Sequence, residues 1–368
     1  MKFTCSKKDL ESAIQTALRV ISPRNAMDIL ECVLIDVDED SLSVTATDGK
    51  MTSVTRIAAN VETDGMVCLP GRLLGEVVRK LPDGDVSVSL SEKLIFTLKT
   101  PVSRTNISGR SADSFPRPAE TEAVSTLSLP QPMLKDMIST VTFAIPAEDM
   151  RKVLTGGYLS VENGVVDLVG LDGFRMALRT ERISDTEKKA NAIIPLKALE
   201  EIAHMMGDNE DESVELVIGK NNITVKAGAT SLYSVLIEGQ YIDYRRIVPK
   251  SFNVKVKLKS DNFCASIDRT ALMARDSKNS LIRMDVKENG VLLTSYSDRG
   301  DVYDEIDADV SGGEMNISFN VKYLSELIRV ITGEEIVICL GTSITPCVIS
   351  PAEGDSFTYM VLPVRTNA

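Results

Sequence analysis

Residues 166–183 read VDLVGLDGFRMALRTERI: an alternating apolar strand, a polar Asp172-Gly173 turn, then a second alternating strand. Period-two alternation around Asp-Gly marks a β-hairpin. The same order recurs at 42–57, LSVTATDGKMTSVTRI, and at 291–306, VLLTSYSDRGDVYDEI. Asp48, Asp172 and Asp298 lie 124 and 126 residues apart, so the chain reads as three copies of one unit.

Two further sets of segments keep this phase. VCLPGRLLGEVVRKL (67–81), IIPLKALEEIAHMM (193–206) and ISFNVKYLSELIRVI (317–331) each pass from a short apolar strand into a helix, with Pro70, Pro195 and Asn320 at the helix starts. Leu or Ile follows at i, i+3, i+4 and i+7, the stripe of a helix that buries one face. Each unit also opens on an amphipathic helix: DLESAIQTALRVI (9–21), QPMLKDMISTVTFAI (131–145) and SDNFCASIDRTALMA (260–274). Each unit therefore holds two similar halves, a strand, a helix and about three strands. Residues 112–128, rich in Pro, Ser and Glu, and YRRIVPKSFN (244–253) serve as linkers, which sets domains at 1–122, 123–248 and 249–368. The expected fold class is α+β, with two helices on antiparallel sheets in each unit.

At 368 residues and 43% hydrophobic content, the chain can bury a core in each domain. Met1-Lys2-Phe3-Thr4-Cys5 lacks the pattern of a signal peptide, and no apolar run approaches the roughly 18 residues of a membrane span. A cytoplasmic location and no membrane partner are expected. Cys5, Cys32, Cys68, Cys264, Cys339 and Cys347 stand singly, without a CxxC pair. They read as reduced, buried thiols, and no metal or cofactor is expected.

A net charge of -12 opposes contact with phosphates. The charge is segregated, however: the six helices and the residues just before them sum to +3, leaving -15 on the rest. Neutral to basic helices facing DNA, with an acidic exterior, suit a weak contact that slides. If the helices line a closed ring at roughly 10 Å spacing, six leave about 9 Å clear and twelve about 28 Å. A duplex whose groove depths alone sum to about 16 Å passes only the larger ring. Two chains suffice and one does not.

The opening Met1-Lys2-Phe3-Thr4, the TDG and LDGFR turns, Asp243-Tyr244-Arg245-Arg246-Ile247-Val248-Pro249, Phe319-Asn320-Val321 and Tyr359-Met360-Val361-Leu362-Pro363-Val364-Arg365 together resemble the beta subunit of bacterial DNA polymerase III. The resemblance covers essentially the whole chain and implies a head-to-tail homodimeric ring with helices lining the pore. It implies Arg24, Arg72, Arg151 and Lys197 as phosphate contacts that read no bases. Lys152 and Val153 stand where the family can carry aromatics.

The resemblance also implies a groove that receives a short peptide, a Gln followed by Leu and Phe-like residues, from the polymerase III catalytic subunit, the clamp loader and other clamp-binding proteins. The matching positions are Leu154, Leu171, Gly173, Phe174, Arg175, Met176, Ile242, Ile247, Met360, Leu362, Pro363, Val364 and Arg365. Leu, Met and Ile among a few fixed polar groups make an adaptable apolar slot. Phe174 replaces the His that family members often have. Ring closure is expected where Arg104 and Ile107 of one copy meet Leu272 and Met273 of the other, with Thr105 in place of a bulkier residue.

An enzyme requires a nucleophile, base or metal constellation. His204 is the single histidine and lies in an amphipathic helix. There is no Walker P-loop, no GxGxxG after a strand and no GxSxG elbow. Asp38-Glu39-Asp40 and Asp208-Asn209-Glu210-Asp211-Glu212 read as solvated loops. A non-catalytic tether is expected. The alternative is a repeat-built peptide-binding scaffold that does not encircle DNA, and retention on circular DNA separates the two.

Overall fold

The computed structural model describes residues 1–22, 27–38, 41–277 and 280–365. The first repeat runs β1 (Lys2–Ser6), α1 (Lys7–Val20), β2 (Cys32–Asp38), β3 (Ser41–Thr47), β4 (Met51–Ala58), β5 (Asn60–Thr63), β6 (Gly65–Pro70), α2 (Gly71–Lys80), β7 (Asp85–Leu90), β8 (Ile95–Lys99) and β9 (Arg104–Ser108). The second runs β10 (Ser125–Pro130), α3 (Gln131–Ser139), β11 (Gly156–Glu162), β12 (Val165–Leu171), β13 (Arg175–Arg182), β14 (Ala190–Pro195), α4 (Leu196–Met205), β15 (Ser213–Ile218), β16 (Asn222–Ala227) and β17 (Thr230–Val235), with a short α5 (Tyr244–Ile247) in the linker. The third runs β18 (Val254–Lys259), α6 (Ser260–Asp276), β19 (Leu281–Lys287), β20 (Gly290–Ser297), β21 (Gly300–Asp307), β22 (Asp309–Ser311), β23 (Met315–Asn320), α7 (Val321–Leu327), β24 (Glu335–Leu340), β25 (Cys347–Pro351) and β26 (Phe357–Val361).

Helices start where the sequence signals them. Pro70 precedes α2 and Pro195 precedes α4, while the Asn320 side chain accepts from the Lys322 N–H at 2.9 Å to cap α7. Along α1 the buried stripe is Leu10, Ala13, Ile14, Ala17 and Val20, and it packs on β3, β4 and α2. Gly75 lets α2 approach α1 closely, since a Cβ there would lie 2.6 Å from Leu18 Cδ1.

Paired strands form four antiparallel sheets. The chain divides into two compact units, Met1–Lys135 with Glu200–Leu236 and Asp136–Leu199 with Ile237–Ala368. In the first, one sheet runs β5-β1-β7-β8-β9 and another runs β10-β15-β16-β17-β4-β3-β2-β6, so β17 of the second repeat pairs with β4 of the first. In the second, one sheet runs β14-β11-β12-β13-β26-β25-β24-β18-β22, joined by β13 and β26, and another runs β21-β20-β19-β23. The outer edges of β9 and β21 have no strand beside them among the described residues.

One expectation about the repeat is corrected. Asp48 Oδ1 accepts from the N–H groups of Lys50 (3.0 Å) and Met51 (2.8 Å), and Asp172 Oδ1 from Phe174 (2.9 Å) and Arg175 (3.0 Å). In the third hairpin Ser297, not Asp298, holds this place, its hydroxyl accepting from the Arg299 N–H at 3.2 Å. Ser297 pairs with Gly300 as Asp48 does with Met51 and Asp172 with Arg175, so Asp298 falls in the two-residue turn itself.

α6 is fastened to the open strand β21 by Asp304, which accepts from Ser266 Oγ at 2.7 Å and from the Arg269 guanidinium, one of whose bonds is 2.8 Å. The Arg269 bonds hold the Asp304 carboxyl below its ordinary range against the upward push of burial. A carboxylate depressed in this way adds stability above its unfolded pKa, and that stability is lost as pH falls through the folded value. Asp304→Asn should therefore lower the melting temperature at neutral pH and flatten its decline below about pH 4, as differential scanning calorimetry across pH will show.

Candidate functional site

Strand alternation builds an apolar floor. Met176 lies opposite Leu171 on one side and Met360 on the other, so these three side chains share a sheet face. They pack with Leu154, Val169, Tyr241, Tyr244, Cys339 and Val348, while Ile242 packs partly buried against the cluster. Ile247 is 37% exposed and Phe174 57% exposed, so both reach solvent. Beyond β26 the chain stays docked. Leu362 N–H donates to the Phe174 carbonyl and Val364 N–H to that of Ser318, each at 2.8 Å, which leaves Leu362, Pro363 and Val364 half-buried and Arg365 exposed.

Arg175 departs from the expected groove lining. It pairs with Val361 and so points to the sheet face opposite Met176. Its buried guanidinium donates to Asp172 Oδ2 at 2.9 Å and to Glu326 of α7, between the rings of Phe143 (5.3 Å) and Tyr323 (4.9 Å). Tyr323 in turn stacks on Phe174 at 5.9 Å. Arg175 thus ties the Asp172 turn to α7 through Glu326 and Tyr323. Sequence reading missed Tyr323, although it lies one turn into the helix that Asn320 caps. It also missed Tyr158, Tyr241, Cys339 and Val348, whose ordinary alternation carries no separate signal.

The expected DNA-facing cations separate. Arg72 and Lys197 are exposed in the first turns of α2 and α4, and Arg24 lies outside the described residues. Arg151 Nε lies 3.1 Å from Asp149 Oδ1, and this bond keeps the Asp149 carboxyl below its ordinary range. Its guanidinium also lies against the Asp172-Gly173 turn, where a Cβ on Gly173 would fall 3.1 Å from a terminal nitrogen. Arg151 therefore borders the groove residues.

At the open edges, Arg104 is exposed on β9 whereas Ile107 is turned into its own core beside Phe96, which corrects its expected outward role. Leu272 is 62% exposed on α6, and Met273 sits beside Ser297, 3.6 Å from its hydroxyl. Tyr296 and Tyr303 are exposed nearby with their hydroxyls 2.6 Å apart.

His204 is exposed, its Nδ1 2.7 Å from the Glu200 carbonyl of its own helix. Among the described residues no group of three or more His, Cys, Asp or Glu could hold a metal, and no helix is long and apolar enough to cross a membrane. All six cysteines are free, and burial pushes the Cys5 and Cys68 thiols up to about 12 and Cys264 to about 11.

Family models of the DNA polymerase III beta subunit match three consecutive stretches: its N-terminal domain at 1–119, its central domain at 128–243 and its C-terminal domain at 245–365. A beta sliding clamp of Staphylococcus aureus is 31% identical over 376 aligned residues, covering 100% of both chains. The DNA polymerase sliding clamp of Bacillus subtilis superposes with a TM-score of 0.96 at 28% identity, over 100% of both chains. A sliding clamp of Pseudomonas aeruginosa bound to griselimycin superposes at 0.93 with 26% identity, also over 100% of both.

Gly173 has φ +91°, a region where a side chain is strained. Gly173→Ala should cost about 1–2 kcal/mol in urea denaturation and displace the Arg151 guanidinium from the turn.

Proposed function

The chain belongs to the DNA polymerase III beta subunit family, and we propose that it works as a sliding clamp. Two copies close head to tail into a ring around duplex DNA without reading its sequence. The ring is a non-catalytic processivity factor that tethers the replicative polymerase and other proteins through the apolar groove. Its units are 1–122, 123–248 and 249–368, and it works in the cytoplasm.

The observation that carries this reading is the pair of open edges. In the two joints within the chain, the third strand of one repeat's hairpin sheet pairs with the last strand of the next repeat: β4 with β17, and β13 with β26. The remaining members of those two sets are β21 and β9, both unpartnered along one edge among the described residues. Joining β9 of one copy to β21 of another repeats the same antiparallel joint and satisfies both edges.

The internal joints supply a register. Backbone bonds Arg110 to Cys68, Ile237 to Ile193 and Val364 to Ser318 mark equivalent places after the last strands. The pairs Leu34 with Thr45, Tyr158 with Val169 and Arg283 with Thr294 do so for the hairpins. Met51 opposite Ser234 and Arg175 opposite Val361 then translate to Gly300 opposite Ile107 of the second copy. On that register Val302 faces Thr105, and Tyr303 faces Arg104, where a cation over an aromatic ring is favourable. Leu272, exposed on α6, would border this joint.

Arg72 and Lys197 on the first turns of their helices are suited to touching phosphates, and Arg151 joins them from the rim of the groove. A closed ring cannot thread itself onto a circle, so a loader that opens it is implied. Partner proteins carrying a Gln, Leu and Phe-like motif compete for the groove.

Loaded onto a circular plasmid, the protein should be retained through gel filtration and released when the circle is cut once. Release from the intact circle at the same rate would favour the peptide-binding scaffold. A Thr105→Cys, Val302→Cys variant should cross-link between copies under mild oxidation, whereas Thr105→Cys with Asp304→Cys should not. Arg72→Glu with Lys197→Glu should weaken DNA affinity and reduce the slope of log affinity against log salt by about two phosphate contacts, read by fluorescence anisotropy over a salt series.

A further inference from the structure

Asp167 is a carboxylate only 4% exposed, on the middle strand of the hairpin sheet, and neither the ring nor the apolar floor accounts for it. A charge so far from water persists only where donors surround it. Thr180 Oγ1 donates to Oδ1 at 2.8 Å, while the Tyr244 hydroxyl and an Arg245 terminal nitrogen donate to Oδ2 at 2.6 and 2.7 Å. Two of the three donors come from the linker that leads into the third repeat.

The rest of that linker is fastened to the same face. Tyr241 stacks on Tyr158 with ring centroids 5.0 Å apart, and its hydroxyl reaches the Val169 carbonyl at 3.4 Å. Tyr244 tilts against Tyr158 at 6.2 Å, and the Arg245 guanidinium lies over the Tyr244 ring at 5.1 Å. Ile242 and Ile247, the groove residues carried by the linker, lie on either side of this anchored pair. Ile242 touches the floor cluster, whereas Ile247 is 37% exposed.

We propose that Asp167 is a positioning residue for the peptide groove: by taking Tyr244 and Arg245 together it sets the height of Ile242 and Ile247 above the Leu171, Met176 and Met360 floor. The proposal rests on the groove reading above. It gives the Tyr244-Arg245 pair a role distinct from touching the peptide: the linker wall is pre-formed, so a ligand need not order it on arrival. Releasing the pair leaves the floor intact and lets the wall move, which shows first as faster dissociation.

The test uses the full-length protein and a fluorescein-labelled synthetic peptide carrying Gln followed by Leu and Phe. Tyr244→Phe keeps the ring and removes one donor, and Arg245→Met removes the other. Each should weaken peptide binding about tenfold, chiefly through the dissociation rate, with the light-scattering mass unchanged. In an Asp167→Asn background either substitution should add little more, because the three act as one unit. Discrimination between the peptide and its Leu→Ala version should also shrink. Native-like affinity and discrimination in both single variants, with only a lower melting temperature, would overturn the positioning role and leave the cluster as a prop for the linker. Failure of the native protein to bind the peptide would instead overturn the groove reading itself.

Discussion

Each repeat ends its two sheets in strands whose outer edges carry unpaired N–H and C=O groups, and an open edge accepts any strand that reaches it. The chain meets this constraint by handing the last strand of one repeat to the hairpin of its neighbour, at β4–β17 and β13–β26. The helices depend on this pairing. α1 and α6 bury their stripes on strands of the hairpin sheets, and α6 is bonded through Asp304 to a strand left open in the single chain. Within each compact unit, sheet continuity joins strands of neighbouring repeats.

Much of this was legible in residues 42–57, 166–183 and 291–306, because period-two alternation and Asp-Gly turns are local. The helix starts at Pro70, Pro195 and Asn320 were equally plain. Parity was not. Asp298 looked equivalent to Asp48 and Asp172, but Ser297 holds their place before a turn of the same length, a one-residue slip that spacing alone cannot register. The same parity turns Arg175 away from Met176 and Ile107 into its own sheet, and sequence neighbours give no hint of which face a strand residue takes when both faces are covered. Tyr323 and Asp167 needed tertiary structure, since their partners lie on other elements.

Repeat symmetry also explains why one joint offers an apolar slot and its counterpart does not. The places of Leu171, Met176 and Met360 are taken in the first joint by Thr47, Thr52 and Tyr233. Thr52 donates to Thr47, and Thr47 to the Met51 carbonyl, at 2.8 and 3.0 Å. Hydroxyls that satisfy one another close a surface that methionines leave adaptable. Divergence at a few inward-facing positions gives the two joints within the chain different surfaces on a repeated scaffold.

The two open edges have a further consequence. β9 and β21 are different surfaces, so the proposed joining of one copy's β9 to another's β21 would be heterologous, and nothing in such a contact limits how many copies join. In the proposed ring, closure at two copies would have to come from elsewhere in the chain than this contact. A substitution that alters the twist at β4–β17 or β13–β26 would not give a looser dimer. It would give a larger circle or an open filament, with every individual contact intact.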